Sequence, residues 1–276
     1  VIDNLHSGKL EHLTSVKNKI KFKKTDILNH NELEPILKYS DGIFHQAALS
    51  IIQESFEKEE EYFNVNINGT KNVFEIARKY DIRVIFASSS SVYGTPLHVP
   101  ITENSTRKVS NPYAQTKLEC EFLAEQYAKN GLDLIGLRYF NVYGIRQTSS
   151  YAGVITQFIK NLKQHLSPII NGDGSQIRDF IHVEDVANAN LAAMDSSIKT
   201  GFFNVGTGNA TSILQLAHTM IDISGLKLNP KFTSLPQGDV ESSQADVTLS
   251  KNALCWKSSI SLKQGLLKLF TTNSII

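Results

Sequence analysis

The sequence has few cysteines, and the two that it has are far apart. Among 276 residues only Cys120 and Cys255 carry a thiol, and both stand in helical or apolar surroundings. Two such residues exclude a disulfide framework and a cysteine-rich metal cluster, so we expect no metal. Free thiols are typical of a reducing compartment, which predicts a cytoplasmic location.

The sequence also lacks a long apolar run and an excess of charge. No run approaches the roughly 20 residues that cross a bilayer, and no secretory leader opens the sequence, so we expect a soluble, unexported protein. The 28 Lys and Arg residues balance 27 Asp and Glu residues, giving a formal net charge of +1. This balance disfavours nucleic acid and membrane surfaces as partners. The basic run at 17–24, KNKIKFKK, is predicted to be a solvated edge strand.

Short apolar runs alternate with longer helical patterns along the sequence. The runs at 43–44, 83–87 and 134–137 have the nearly continuous apolar character of buried parallel strands. Their alternation with helices predicts parallel βαβ units in an open sheet, which is an α/β fold. Beyond about residue 145 the order loosens. We therefore expect a sheet domain over 1–145 and a smaller lobe over 146–276 that is interleaved with it.

A glycine pair imitates a dinucleotide-binding loop. Gly206 and Gly208 follow a predicted strand and precede a predicted helix. Thr211 replaces the third glycine of such loops and is predicted to cap the helix that begins near Ser212. The pattern favours a structural turn over a phosphate cradle.

The stretch SNPYAQTKLE, residues 110–119, places Tyr113 and Lys117 four positions apart at the start of a predicted helix. Residues at this spacing share a helix face. A phenol has a pKa of about 10, and lowering it by about three units takes roughly 4 kcal/mol. One ammonium about 4 Å away supplies about that much at an effective dielectric constant near 20. The pair can therefore act as a base, although the spacing alone also occurs by chance.

A run of hydroxyl side chains strengthens this hypothesis. The predicted strand before ASSSSVYG ends in serines, and open α/β sheets bind ligands at the carboxyl ends of their strands. Together with VIDNLHSG, HQAA, NVNINGT and LRYFNVYG, these motifs resemble the extended short-chain dehydrogenase/reductase family of nucleotide-sugar epimerases and dehydratases. The resemblance runs from Val1 to about Trp256. It implies a Rossmann-like, doubly wound parallel sheet with a smaller C-terminal α/β substrate lobe.

The resemblance implies roles for a catalytic set and a cofactor set. Tyr113 matches the catalytic base, Lys117 its activator, and Ser89 the hydroxyl that shares the substrate proton. An acid at Asp3 suits free ribose hydroxyls and repels a 2′-phosphate, which implies NAD rather than NADP. The implied cofactor residues are Asp3, Asn4, Asp26, Ile27, Gln46, Ala47, Ala48, Asn66, Tyr113, Lys117 and Tyr139. For Asn66, a packing amide is the alternative.

The family's first strand, Gly-rich turn and helix do not precede VIDN in the sequence. We expect about 30 residues of this kind upstream, the length of one βα unit.

A second set is implied for a UDP-sugar substrate. Its residues are Ser89, Ser90, Asn141, Val154, Asn171, Arg178, Asp239 and Ser243. Arg178 suits a diphosphate because a guanidinium binds phosphate oxygens in pairs. Many relatives carry another arginine just before GDV, where this sequence has LPQ, and that difference weakens the diphosphate assignment. His182 is interpreted as a structural residue at a helix start, followed by first-turn acids.

The reaction type follows from what stands beside Ser89. Dehydratases and decarboxylases of the family carry an acid there, whereas this sequence has Ser90 and Ser91. The resemblance thus implies 4-epimerisation of a UDP-hexose or a UDP-N-acetylhexosamine through a transient 4-ketone, and a small Ser243 leaves room for an acetamido group. A UDP-glucuronate-type 4-epimerase and a catalytically silent sensor of nucleotide sugar or NAD remain alternatives. Family analogy implies a homodimer through helices at 60–80 and 113–129.

Overall fold

The computed structural model describes residues 1–147, 153–234 and 242–273. The strands are β1 (Ile2–Asp3), β2 (Lys23–Lys24), β3 (Gly42–His45), β4 (Arg83–Ser89), β5 (Leu134–Tyr139), β6 (Asn141–Tyr143), β7 (Ile169–Asn171), β8 (Ile177–Arg178), β9 (Phe180–His182), β10 (Thr200–Val205), β11 (Thr211–Ser212), β12 (Lys231–Thr233) and β13 (Ser242–Ser243). The α-helices are α1 (His30–Leu37), α2 (Ile52–Glu57), α3 (Glu59–Phe63), α4 (Gly69–Lys79), α5 (Pro112–Lys129), α6 (Val154–Lys163), α7 (Val183–Asp195), α8 (Ile213–Ser224), α9 (Thr248–Ala253) and α10 (Leu262–Thr272).

Two compact units make up the chain. The first unit comprises Val1–Ser88, Asn111–Gly136 and Lys199–Gly201, and the second comprises Ser89–Ser110, Leu137–Ile198 and Phe202–Ile276. The chain passes between the units several times, so neither unit is a continuous segment. The predicted assignment of cofactor and substrate roles to 1–145 and 146–276 stays a prediction.

The main sheet contains four strands in the order β10-β5-β4-β3, and β3 pairs with β4 in parallel. The predicted strands at 43–44, 83–87 and 134–137 are confirmed. The prediction of continuous burial is wrong at one residue of β3, Phe44, which is 44 % exposed. Successive side chains of a strand point to opposite faces, and β3 buries Ile43 and His45 while Phe44 faces solvent.

The first unit packs its helices around β4. Helix α5 contacts α2, α3 and α4. Between α3 and α4 the residues Asn64–Asn68 form a π-helix, so the chain is helical from residue 59 to 79. The ring of Phe74 on α4 lies edge-on to Phe86 of β4 and to Tyr127 of α5, each at 5.8 Å between centroids. These contacts join α4 to β4 and α5, the two elements that carry the candidate catalytic residues.

The basic run does not form the predicted edge strand. A 3₁₀-helix, Leu10–Lys19, includes its first lysines, and only Lys23–Lys24 is a strand. This strand is short because its partner β1 is itself two residues long, pairing Ile2 with Lys23 and Asp3 with Lys24.

The second unit has its own apolar core between α6, α8 and α10. The core includes Phe158, Leu216, Met220, Leu266 and Phe270, each at most 3 % exposed. Small ladders surround it: β6 with β9, β7 with β12, and β8 between β11 and β13. Helices and strands thus occur together in the second unit, which is α/β as well.

The cap of α8 differs from the predicted one. Ser212 caps the helix in a capping box with Gln215, each side chain bonding the other residue's backbone N–H. Thr211 does not cap, because it pairs with Arg178 in an antiparallel ladder.

Within the described ranges no helix is both long and apolar enough to cross a membrane. Both cysteines are free thiols, with Cys120 buried and Cys255 exposed. The cytoplasmic location stays a prediction.

Candidate active site

Helix α5 begins where the sequence predicts, and its start fixes Tyr113. Asn111 caps the helix, its side-chain oxygen accepting from the N–H of Ala114 at 2.8 Å. Pro112 occupies the first turn, where its missing N–H costs nothing. The N–H of Tyr113 donates to Oγ of Ser55 on α2 at 3.2 Å. Two hydrogen bonds and a proline therefore orient the first turn of the helix that carries the phenol.

Lys117 lies one turn further along α5 and is 5 % exposed. Its Nζ donates to the carbonyl oxygen of Ala87 on β4 at 2.9 Å and lies 6.0 Å from the ring centroid of Tyr113. Burial lowers the pKa of Lys117, and Cys120 and Glu121 oppose that shift. The predicted pairing of Tyr113 and Lys117 on one face is present.

The distance sets how much this ammonium can do. At about 6 Å and an effective dielectric constant near 20, a unit charge stabilises a phenolate by about 3 kcal/mol. This is less than the roughly 4 kcal/mol that a separation of about 4 Å gives. Because 6.0 Å is the distance to the ring centroid, Lys117 is near enough to stabilise a phenolate by several kcal/mol.

Ser89 ends β4 and caps the 3₁₀-turn Ser90–Tyr93. Its Oγ accepts from the N–H of Ser91 at 3.2 Å and from Oγ of Ser91 at 2.9 Å. A hydroxyl has two lone pairs and one proton, so these contacts use its acceptor capacity and leave its proton to offer. The geometry suits a donor to a substrate oxygen. Ser90 is half-buried in the same turn.

The predicted adenosine residues lie together at the ends of β1 and β2. The Nδ2 of Asn4 donates to Oδ2 of Asp26 at 2.8 Å, and Oδ1 of Asp26 accepts from the N–H of Leu28 at 2.9 Å. Asp3 accepts from the N–H of Leu5 at 2.6 Å. A Cβ at Gly8 would lie 2.9 Å from both carboxylate oxygens of Asp3, so a side chain there would crowd this acid.

Ile27 and Asn66 serve the packing of the first unit. A Cβ at Gly69 would lie within 2.6 Å of two side-chain carbons of Ile27, so glycine lets α4 approach Ile27 closely. Asn66, in the π-helix and 1 % exposed, accepts from the N–H of Leu49 at 2.8 Å. Its Nδ2 donates to the carbonyl of Leu49 and to Oγ1 of Thr116, both at 2.9 Å.

These bonds use both N–H groups of the Asn66 amide within the chain, so the contacts seen are those of the packing alternative. A direct cofactor contact by Asn66 stays a prediction. The same amide fixes the loop after β3, which presents the predicted residues Gln46 and Ala47 at the surface and Ala48 half-buried. In this way Asn66 positions the loop whatever else it contacts.

The chemistry of these groups fits a dinucleotide with free ribose hydroxyls. Asp3 and Asp26 are acceptors for hydroxyl groups at the ends of two neighbouring parallel strands, where α/β sheets bind ligands. An acid at Asp3 would repel a 2′-phosphate. Asp3, Asn4 and Asp26, which would hold the adenosine part of NAD, thus lie in the first unit.

The second unit holds the predicted substrate residues. The backbone N–H of Asn141 donates to the carbonyl of Asp179 at 3.0 Å, and its side-chain amide reaches the same oxygen at 3.4 Å. Arg178 on β8 stands in register with Ser243 on β13, a parallel pair whose side chains share one face. Val154 begins α6 and Asn171 ends β7. Asp239 lies outside the described residues, as do Leu235, Pro236 and Gln237.

Tyr139, predicted beside the nicotinamide, is fixed by a partner that sequence reasoning missed. Its hydroxyl donates to Oδ1 of Asn190 at 3.0 Å and lies 2.8 Å from Nδ2 of the same residue. Asn190 is buried in α7. A lone asparagine in a helix carries no sequence pattern that identifies it.

Asp179 is a second missed residue, and it explains the glycine pair. Its carboxylate accepts from the N–H and Oγ1 of Thr207 at 2.8 and 2.6 Å and from the N–H of Gly208 at 2.9 Å. It also accepts from the N–H of Ala245 at 3.2 Å. The donors that could bind a phosphate thus bind the chain's own carboxylate. The structure supports the structural turn.

The residues around His182 have structural contacts. Its Nδ1 accepts from the N–H of Glu184 and caps α7. Asp185 does more than favour the helix dipole, since its carboxylate accepts from Ser259 and from the N–H of Ile260 at 2.8 to 3.0 Å. Asp185 therefore anchors the segment before α10.

A sequence model described as the NAD dependent epimerase/dehydratase family matches residues 1–206. A protein of Methanocaldococcus jannaschii named "Putative UDP-glucose 4-epimerase" is 36 % identical, over 96 % of this chain and 87 % of its own length. A UDP-N-acetyl-alpha-D-glucosaminuronate decarboxylase of Bacillus cytotoxicus is 33 % identical over the same shares.

A solved structure agrees with these similarities. The UDP-N-acetylglucosamine 4-epimerase of Methanobrevibacter ruminantium, in complex with UDP-N-acetylmuramic acid, has a TM-score of 0.93 and 34 % identity, covering 98 % of this chain and 89 % of its own. The similarity extends over both compact units. It confirms the predicted Rossmann-like α/β fold.

Replacing Asn66 by Ala should lower the free energy of unfolding by about 2 kcal/mol, because the N–H and carbonyl of Leu49 lose a buried partner. Urea unfolding measures the change, and hydrogen exchange at Leu49 should become faster. Asn68→Ala is the matched control, since Asn68 is exposed on the same π-helix and bonds only Asn64 in the described contacts. Equal effects of the two substitutions would contradict the positioning role of Asn66.

Proposed function

The chain belongs to the NAD dependent epimerase/dehydratase family, and we propose that it epimerises a UDP-hexose or a UDP-N-acetylhexosamine at C4 through a transient 4-ketone. The observation that carries the proposal is the buried Lys117 beside Tyr113 at the start of α5. Bound NAD would supply reversible hydride transfer at C4, so that no net oxidation occurs, and Asp3, Asn4 and Asp26 would hold its adenosine.

The chain's own residues handle the proton. Tyr113, as a phenolate, takes the proton of the 4-hydroxyl while the hydride leaves the same carbon, and it gives the proton back when the ketone is reduced. Lys117 stabilises the phenolate charge. Ser89 donates its proton in a hydrogen bond to the reacting oxygen, consistent with its two engaged lone pairs.

The neighbours of Ser89 favour epimerisation over elimination. A dehydratase or decarboxylase needs an acid to protonate or expel a group next to the ketone, and here Ser90 and Ser91 follow Ser89. The relative from Bacillus cytotoxicus shows that sequences this similar include a decarboxylase. Overall similarity therefore does not decide between the two reactions. We propose the epimerase reaction because serines, and not an acid, follow Ser89.

Tyr113→Phe should lower the epimerisation rate roughly 10²- to 10⁴-fold, because the general base is lost while the ring remains. The assay follows UDP-glucose, UDP-N-acetylglucosamine and UDP-glucuronate by NMR with the intact protein. Turnover of UDP-glucuronate alone would favour the glucuronate-type enzyme. Tyr127→Phe on the same helix is the control and should leave the rate nearly unchanged. Full activity of Tyr113→Phe would contradict the enzyme mechanism and favour a silent sensor.

We propose that Ser243 sets the size of the sugar that fits. It stands in register with Arg178, to which the family assigns the diphosphate. Ser243→Tyr should reduce turnover of the N-acetylated sugar about tenfold more than turnover of the plain sugar, a typical effect of steric exclusion from a pocket. The ratio of kcat/KM for the two sugars measures it. Ser242→Tyr, on the opposite face of β13, is the control, and an unchanged ratio in Ser243→Tyr would remove Ser243 as the gate.

We also propose a homodimer formed through α3, α4 and α5 of two copies. Phe122 of α5 is 38 % exposed in the first unit, which supports a covered apolar surface on that helix. Phe122→Asp should convert a dimer to a monomer, measured by light scattering after gel filtration. Tyr39→Asp, at an 81 % exposed aromatic of the same unit, should leave the mass unchanged. A monomeric unmutated protein would refute the dimer.

A further inference from the structure

A buried carboxylate lies one helical turn beyond Lys117, and the catalytic proposal does not use it. Glu121 is 0 % exposed, and Oγ of Ser88 donates to its Oε1 at 2.6 Å. A hydroxyl–oxygen distance of 2.5 to 2.7 Å is typical of a bond to an ionised carboxylate. Burying a carboxylate costs free energy unless other groups compensate the lost hydration of its charge.

Glu121 and Lys117 make parallel contacts between α5 and β4. Lys117 donates to the carbonyl of Ala87, and Glu121 accepts from the side chain of Ser88, the next residue along the strand. Residues four apart on a helix are neighbours on one face, so both side chains project from the face of α5 that contacts β4.

Besides Tyr113, whose phenolate Lys117 is proposed to stabilise, the titratable neighbours His45 and Cys120 carry no negative charge at neutral pH. His45, from the end of β3, has its pKa lowered to about 3 by burial and then by Lys117, so it is neutral. Burial raises the pKa of the Cys120 thiol, which keeps it protonated. The face of Phe86 lies 5.7 Å from Nζ. Cys120 and Glu121 both raise the pKa of Lys117 against burial, and because the Cys120 thiol is protonated, Glu121 is the group to test.

We propose that Glu121 is a positioning residue that keeps Lys117 in its ammonium form in the core, and through Lys117 keeps Tyr113 competent as a base. Its catalytic consequence rests on the proposed function, whereas its effect on Lys117 does not. If Glu121 loses its charge, the ammonium is less stable, so less of it is present at a given pH. The phenolate then loses stabilisation, and proton transfer to Tyr113 requires a higher pH.

Glu121→Gln tests this with the shape of the side chain preserved. In protein carrying ¹³Cε-lysine, the Lys117 resonance is assigned by its loss in Lys117→Arg. We expect Lys117 to titrate at lower pH in Glu121→Gln than in the unmutated protein. We also expect the acid limb of the kcat/KM profile to move to higher pH by about one unit, a typical effect of one nearby charge. An unchanged Lys117 titration would overturn the proposal.

Glu119→Gln is the matched control. It removes the same charge from the same helix, but Glu119 accepts from Nε2 of Gln115 at 2.7 Å and does not shift the pKa of Lys117. Neither readout should move in this variant. A second outcome separates the two proposals. If the Lys117 titration shifts in Glu121→Gln but neither the unmutated protein nor any variant turns over a UDP-sugar, the proposed function fails. The charge coupling between Glu121 and Lys117 then still stands.

Two further measurements separate charge from packing. Arginine stays charged whatever its neighbours. In a Lys117→Arg background, Glu121→Gln should therefore not move the titration of the phenol to higher pH, and ultraviolet absorbance follows this titration. A shift as large as in the lysine background would indicate a packing effect and overturn the proposal. Should Glu121→Gln fail to fold, the side-chain ¹³C resonance of Glu121 in the unmutated protein decides, since a protonated Glu121 at neutral pH overturns it.

Discussion

The hydrogen bond from Lys117 to the carbonyl of Ala87 is the contact on which the first unit's chemistry depends. Moving an ammonium out of water costs several kcal/mol, so a buried lysine persists only where its donors have partners. This bond joins α5 to β4 at Ala87, the residue before Ser88. The start of α5 carries Tyr113. A slip of the helix by one residue would break the bond and leave a buried charge without a partner. The bond therefore fixes the position of α5 along β4.

The second unit uses a buried charge for a different purpose. The carboxylate of Asp179 binds the N–H groups of Thr207, Gly208 and Ala245, and so joins the glycine turn to the segment after β13. Successive N–H groups in such a turn form an anion site. Because the chain fills that site itself, a pattern that imitates a phosphate loop has become a structural one. Its neighbour Arg178 is held in the same ladder as Ser243.

Sequence reasoning succeeded where the determinants are local. The strand at 83–87 is apolar on both faces from Val84 onward, and Asn111 and Pro112 mark the start of α5, so neither feature needs the tertiary structure. The bond from Ser88 to Glu121 joins residues 33 apart, and that from Ala245 to Asp179 joins residues 66 apart. Contacts at such separations depend on how the elements pack, which one sequence does not reveal.

The division of residues between the units bears on how such a protein can change its substrate. The groups that set the charge on Lys117 lie within the first unit and are buried, so substitutions among them alter both stability and proton transfer. Ser243, Val154 and Asn171 lie in the second unit, outside that buried network, on strand ends or at a helix start. Under the roles proposed for these residues, changes there would alter the shape offered to a sugar without removing a charge from the core. Relatives that share a third of their residues can therefore keep one proton-transfer machinery and act on different sugars.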